Sequence, residues 1–416
     1  MATGKFDVYV FADWLGLEGP QLIGTLSGHF AKGKKAFSFE YAPAWLKTKT
    51  QRLLDPDIQF YSGPQFPVEK ENFGIFLDSM PDTWGKTLMK RRAAQEAREN
   101  NEKSKTLYEI DYLLGVFDES RMGALRFKTE LDGPFLDNDS QNPTPPWSYL
   151  GDLQDAVKQL ESDEQSDAIR KWIAVLIAPG SSLGGARPKA NVLDSQKNLW
   201  IAKFPSKSDT TDKALWEFLA YRLATAVGIN MAESKVEKIK GPYHTFLTKR
   251  FDREHTQRIH FASAMTMTGN TEEALRGRTP SYLELVEFIE NYGVHIEANL
   301  HQLWRRMVFN IAISNTDDHL RNHGFILSEK GWELAPAYDL NPSVEKNGLS
   351  LNIDMDDNTL DFDLAKSVGV YFRLNEQEMN AILNEIKTVV NDWKRIAKEI
   401  GIKSAEIELM ESAFRV

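Results

Sequence analysis

The chain contains no cysteine. No disulfide can staple it, no thiolate can hold zinc, and no cysteine nucleophile is available. Its 416 residues must therefore fold by burying apolar surface, and a chain of this length hides most of what it exposes when unfolded. A hydrophobic fraction of 42 %, with 26 % charged residues, is globular composition and excludes a fibrous or wholly disordered chain. At about 100–200 residues per domain, the length predicts two to four domains. A large cysteine-free chain fits a reducing interior. The opening segment from Met1 to Phe11 turns polar at Asp13, which does not read as a secretory apolar region. The best apolar run, Trp172 to Ala178, is far short of the roughly 18 residues a membrane helix needs. These readings predict a cytoplasmic protein with no membrane partner. The net charge of −10 disfavours wide, non-specific nucleic-acid binding.

The pattern along the chain predicts an α+β fold. Phe6–Phe11, Gln21–Leu26 and Phe37–Tyr41 read as strands, and Ala124–Phe127 as another. Pro81-Asp82 suits the start of a charged helix over Thr83–Glu99. Residues 132–147 are rich in Pro, Asn and Asp without an apolar period, and read as a linker. Helices over Leu153–Leu160 and Ala168–Ile177 follow it. Next come a glycine-rich stretch at 179–185 and strands over Ala190–Leu193 and Leu199–Phe204. A helix over Lys213–Val227 presents Leu215, Phe218, Leu219 and Leu223 on one face, and Thr245–Arg250 reads as a strand. The remainder is mostly helical. It ends in one helix over Glu376–Ile400, stopped by Gly401, and another over Ala405–Arg415, capped by Ser404.

Three clusters carry chemistry. The first is Ser181-Ser182-Leu183-Gly184-Gly185-Ala186-Arg187-Pro188-Lys189. Small residues let backbone N–H groups approach phosphate oxygens, and Arg187 and Lys189 add charge. Lys203 sits inside the second strand, where a buried lysine needs an anionic partner; in nucleotide kinases this is phosphate together with a helix glutamate, here Glu217. The loop matches neither common glycine-rich nucleotide fingerprint, and an edge-strand lysine often only faces solvent.

The second cluster is Ser314-Asn315-Thr316-Asp317-Asp318-His319-Leu320-Arg321-Asn322-His323, after an apolar helix from Trp304 to Ile313. Asn322 stands five positions after Asp317, the Asp-to-Asn interval of a kinase catalytic loop. A solvated turn with Asx caps is the plain alternative. A metal site on Asp317, His319 and His323 is another. The third cluster runs from Trp332 to Ser343, with Asp339 closing a strand and opening a loop 17 residues after Asn322, where a kinase has a second acidic magnesium ligand; an ordinary Asp in a Pro-rich turn is the plain alternative. Taken in order, loop, Lys, Glu, Asp-x4-Asn and Asp favour a kinase.

At these residues the chain resembles the HipA family, the serine/threonine-kinase toxins of bacterial toxin–antitoxin pairs. Ser182–Lys189 is similar to the family's phosphate loop, Asn315–Asn322 to its catalytic loop and Ala337–Asp339 to its metal motif. Gln21–Leu26, Phe76–Asp82 and Gly123–Phe127 are similar to its N-terminal subdomain. The resemblance implies a HipA-like kinase fold, with an N-terminal subdomain over 1–145 and a kinase domain over 146–416. That domain has a small mixed lobe to about 255 and a helical lobe after it. It implies ATP and magnesium as cofactors and Asp317 as catalytic base, with Asn322 and Asp339 holding the metal. Lys203 and the residues Gly184, Gly185, Ala186, Arg187, Pro188 and Lys189 would contact phosphates. His319 and Tyr338 would line the nucleotide, and Lys249, Arg250, Phe251 and Asp252 would form the adenine-side hinge. Ser182 falls at the family's autophosphorylated serine, with Ser181 as the neighbouring alternative. A phosphate there would repel the nucleotide by like charge.

The family further implies a helix-turn-helix antitoxin of the HipB type, operator DNA bound through that antitoxin, a protein substrate such as a translation factor or aminoacyl-tRNA synthetase, and a role in persistence. Lys249 stands where some members have glutamate, and Arg187-Pro188 differs from the more polar pair of the best-known branch. The first bears on any side-chain contact to adenine or ribose at that position, and the second points to a different branch. A small-molecule kinase on the same fold, a catalytically degenerate antitoxin-binding co-repressor, and a metal-dependent hydrolase are the competing readings.

Overall fold

The computed structural model describes residues 4–31, 34–138, 144–162, 176, 185 and 187–416. By their contacts they form two units. The first holds residues 1–202, 252–271 and 326–329, and the second 203–251, 272–325 and 330–416. The stretch 146–202, expected to open the kinase domain, groups by contacts with the first unit.

The first unit is built on an antiparallel sheet of β1 (Gly4–Ala12), β2 (Gln21–Ala31), β3 (Lys34–Tyr41) and β4 (Leu125–Lys128), in the order β3-β2-β1-β4. The period-two pattern sets the register. Val8 opposes Leu26, Leu26 opposes Phe39, and Val10 opposes Phe127, so one face of every strand is apolar and buried. Phe39, Phe73, Phe76 and Phe127 meet edge-to-face or tilted over this face. Beside them Arg121 is fully buried and donates to the carbonyls of Ser79, Leu113, Val116 and Leu136 at 2.7–3.0 Å. Burial pulls its guanidinium down to about 9.

The helix Thr83–Glu99 starts where the sequence places it, with the Asp82 carboxylate accepting from the Gly85 amide at 2.8 Å. The helix Leu150–Glu161 and the neighbouring strands β5 (Lys189–Leu193) and β6 (Leu199–Lys203) follow. Between those strands Asp194 accepts from the amides of Gln196 and Asn198, while Lys197 takes a left-handed φ of 64°. The helix expected over Ala168–Ile177, apart from Leu176, and part of the expected linker lie outside the described residues.

The second unit pairs β7 (Ser234–Glu237) antiparallel with β8 (Thr245–Lys249), holds the short strand Trp332–Leu334, and takes its bulk from helices. Its centre is the helix Ile296–Ala312, with Leu300, Leu303, Trp304, Met307 and Phe309 fully buried. The helices Tyr282–Tyr292, Phe362–Ser367 and Glu376–Asn391 pack against it. The long helix expected to reach Ile400 is instead two. It ends at Asn391, and Asp392 serves both as its C-cap and as the N-cap of Trp393–Glu399. The Asp392 carboxylate binds the Arg395 guanidinium at 2.6 Å, a local partner that favours a cap over a helix interior. Lys403 rather than Ser404 caps the helix Ser404–Leu409, and Glu411–Ala413 forms a separate 3₁₀ turn. Gly401, at φ 93°, stops the preceding helix as expected. Among the described residues no helix is long and apolar enough to cross a membrane.

Candidate active site

Lys203 is the last residue of β6, and its neighbours Ile201, Ala202 and Phe204 are buried. Its side chain is itself largely buried, and a buried ammonium needs anionic partners. It finds two. The Glu217 carboxylate lies 2.5 Å away and the Asp339 carboxylate 2.6 Å. Burial works against the charge, but Asp339 and Glu217 outweigh it and hold the amine above the ordinary lysine range. The Phe246 ring, 5.5 Å from the ammonium, adds a cation–π contact that the sequence did not signal.

Glu217 is delivered by the helix Lys213–Ala226, whose start is fixed by Asp212. The Asp212 carboxylate accepts from the amides of Leu215 and His244 and pairs with the His244 ring at 2.6 Å. Asp339 is delivered differently. The strand expected to carry it ends at Leu334, because Pro336 has no N–H for a ladder. Asp339 sits beyond it with φ 58°, a left-handed conformation that aspartate tolerates better than most residues. Two carboxylates share one ammonium here, so the cluster carries a surplus negative charge.

The loop between the helix Ile296–Ala312 and the strand Gly324–Leu327 lies in the same unit. Asp317 is exposed, with its carboxylate open to an incoming group. The Asn322 amide nitrogen donates to the Asp317 carbonyl at 2.7 Å, and its backbone N–H to the His319 carbonyl at 2.8 Å. The Asn322 Oδ1 and the His319 Nδ1 are buried without a hydrogen-bond partner among the described residues. The Tyr338 hydroxyl donates to the Arg321 carbonyl at 2.8 Å and thus ties the Asp339 segment to the Asn322 loop. Phe251 stacks on Tyr338 at 5.7 Å.

A buried amide oxygen without a hydrogen-bond partner among the described residues, in the same unit as a doubly acidic cluster, offers oxygen donors of the kind magnesium takes. Hard oxygen ligands, few in number, leave positions for water and phosphate. The residues Asn322 and Asp339 fit that ion. The alternative set does not assemble: among the described residues no three His, Asp or Glu side chains are placed to hold a metal. His323 is buried against the edge of Tyr282, and burial pushes its ring down to about 3, so it is neutral.

Ser181, Ser182, Gly184 and Ala186 are outside the described residues. Gly185 has φ 111°, which favours glycine. Lys189 is buried in the first unit, and its ammonium binds Asp82 at 2.7 Å with both side chains under 5 % exposed. Arg187 and Pro188 precede it in the same unit. Of the expected hinge, Lys249 donates its amide to the Glu233 carbonyl at 2.7 Å, and Arg250 is buried. Asp252 belongs to the first unit, where its fully buried carboxylate accepts from the Gly123 amide and the Arg253 guanidinium. That carboxylate is committed to the fold.

Three comparisons bear on this geometry. Residues 181–393 match the family model of the HipA-like C-terminal domain. A Sinorhizobium fredii protein named as kinase Y4mE is 25 % identical over 211 residues, covering 49 % of this chain and 43 % of its own length. The serine/threonine-protein kinase toxin HipA of Shewanella oneidensis is 24 % identical over 266 residues, 56 % of this chain and 58 % of its own. The matches thus span about half the length of these relatives. A structure of the Shewanella oneidensis HipA, HipB and operator DNA complex aligns over 97 % of this chain and 94 % of the matched chain, with a TM-score of 0.59 at 17 % identity.

Proposed function

The chain belongs to the HipA-like C-terminal domain family, and on that footing we propose that it is an ATP- and magnesium-dependent serine/threonine protein kinase, the toxin of a toxin–antitoxin pair. The observation that carries the proposal is the Lys203 ammonium held between Glu217 and Asp339, in the same unit as a loop with Asp317 exposed and the Asn322 Oδ1 without a hydrogen-bond partner among the described residues. Phosphoryl transfer needs positioned charge more than covalent chemistry, and this inventory supplies it.

Lys203 fixes the nucleotide phosphates, and Glu217 keeps its ammonium aimed. Asn322 and Asp339 would hold magnesium, which would neutralise and orient the phosphates. Asp317 takes the proton from the substrate hydroxyl as its oxygen bonds to the γ-phosphorus and the bond to the ADP oxygen breaks. His319 and Tyr338 line the nucleotide, with Phe251 stacked behind Tyr338. Self-phosphorylation at Ser182, with Ser181 as the alternative, belongs to the same reading. So do a protein substrate, a cytoplasmic location and a HipB-type antitoxin through which operator DNA is bound. The Shewanella complex of HipA, HipB and operator DNA supports the last of these.

Intact mass after incubation with magnesium and ATP tests the reading, beside Asp317→Ala. Wild type is expected to gain about 80 Da per phosphate, mapped to Ser182 or Ser181, and the variant none. An unmodified wild-type protein that gains no mass and binds no MgATP overturns it.

A further inference from the structure

Four buried polar side chains under the Asp317 loop form one chain of hydrogen bonds. The Tyr282 hydroxyl, at the start of the helix Tyr282–Tyr292, donates to the Asp318 Oδ2 at 2.5 Å. The same hydroxyl accepts from the Asn310 Nδ2, on the central helix, at 3.0 Å. The Asn310 Oδ1 accepts from the Asn315 Nδ2 at 3.0 Å. The Asn315 Oδ1 accepts from the Asn341 amide at 3.3 Å, two residues beyond Asp339. At the other end the Asp318 Oδ1 accepts from the Ser350 amide at 2.7 Å, and the Ser350 hydroxyl donates to the Thr316 carbonyl at 2.8 Å. All four side chains are at most 1 % exposed, and all lie in the second unit.

The arrangement grips the loop on both sides of one residue. Asn315 lies two positions before Asp317 and Asp318 one position after it. Both are drawn inward to the helices while Asp317 alone faces out. Asn341 carries the same chain of bonds to the segment that presents Asp339. A buried network with every member satisfied rigidifies what it holds, and a catalytic base needs its geometry held within fractions of an ångström. A loop stabilised only for folding would need no connection to the Asp339 segment.

We propose that Tyr282, Asn310, Asn315 and Asp318 are positioning residues, a buried clamp that sets the Asp317 loop in register with the Asp339 segment for phosphoryl transfer. The clamp acts through the backbone and touches no substrate. Its catalytic consequence rests on the kinase reading, while its mechanical consequence does not.

Two measurements on the full chain separate these. The first is amide hydrogen exchange of the wild type, Tyr282→Phe and Asp318→Asn. Tyr282→Phe removes one hydroxyl and leaves the ring; Asp318→Asn keeps an acceptor for that hydroxyl and serves as the conservative partner. Tyr282→Phe is expected to speed exchange at Asn315 and Asn322 at least tenfold, with Asp318→Asn in between and the helix Glu376–Asn391 unchanged. Equal protection of the loop in wild type and Tyr282→Phe overturns the clamp, and so does a uniform loss across the unit. The second is single-turnover phosphate transfer from MgATP against its dissociation constant. Tyr282→Phe is expected to slow transfer ten- to a hundredfold while the MgATP constant stays within twofold, and Asp318→Asn to recover part of the rate. A rate within twofold of wild type, or a loss confined to MgATP affinity, overturns the positioning role. A wild type that transfers no phosphate overturns the kinase reading instead, and the exchange result still decides the clamp.

Discussion

At the scale of single residues, substituting Lys203 is expected to cost stability while substituting Asp317 is not, and on the kinase reading both are expected to cost activity. The Lys203 ammonium sits between two carboxylates, Glu217 and Asp339, that it touches at 2.5 and 2.6 Å. Lys203→Met leaves Glu217 and Asp339 to repel one another inside the protein. Removing one partner of a buried pair costs about 3–5 kcal/mol; Asp339 is partly open to water, so the lower end is expected. Urea unfolding reads that loss, and calorimetry with MgATP is expected to show binding abolished. Asp317 is exposed. Asp317→Asn is therefore expected to leave stability within about 0.5 kcal/mol of wild type and to slow phosphate transfer by about 10²–10⁴-fold, the usual worth of a general base. Full activity in Asp317→Asn would remove the base from that position.

At the scale of elements, Asp82 holds two structures with two oxygens. Oδ1 caps the helix Thr83–Glu99 through the Gly85 amide, and Oδ2 neutralises buried Lys189 at the head of β5. The Trp84 indole adds a bond to the Lys189 carbonyl. The two functions separate by substitution. Asp82→Ser keeps a capping oxygen and loses the ion pair; Asp82→Ala loses both, and the difference between them is expected near 1 kcal/mol, the value of an N-cap. Thermal unfolding measures both. A Ser variant as stable as wild type would mean that Lys189 finds another anion. The cap was legible in the sequence, since Pro81-Asp82 before a charged helical run is local information, and so was the alternation that fixes the β1–β4 register. The Lys203, Glu217 and Asp339 grouping was legible because the spacing of three motifs carried it. The break at Asp392 was not, because helix propensity runs smoothly through 376–400 and only the cap geometry interrupts it. The Tyr282–Asp318 bond joins residues 36 positions apart, and no local pattern announces such a contact. The bond from the Gly123 amide to the Asp252 carboxylate likewise joins residues far apart in sequence.

At the scale of the whole molecule, buried titratable groups set how the second unit responds to acid. Burial, with Arg306 and His319 nearby, holds His323 at about 3, against about 6.5 in an unfolded chain. Between those values the unfolded state binds a proton that the folded state refuses. The His323 contribution is thus complete above about pH 6.5 and is lost as pH falls, at about 1.4 kcal/mol per pH unit. Asp318 acts in the opposite sense. Burial raises it to about 7, against the hydrogen bonds from Tyr282 and the Ser350 amide, from an ordinary value of 3.8. The folded state then holds a proton that the unfolded state has released, so its contribution is complete below about pH 3.8 and is lost as pH rises to 7. From about pH 4 to 6.5 the two terms run against each other, and the unit's stability is expected to be nearly flat. Removing either group should expose the other. Asp318→Asn takes away the acid-favouring term, so stability should fall on acidification by up to about 1.4 kcal/mol per pH unit. His323→Asn takes away the acid-disfavouring term, so stability should rise on acidification over the same range. Hydrogen exchange within the helix Ile296–Ala312, followed from pH 7 to 4.5 and corrected for intrinsic rates, reads the unit alone. Opposite slopes in the two variants are the expected result; parallel slopes would mean that neither buried group keeps its displaced protonation in the folded chain.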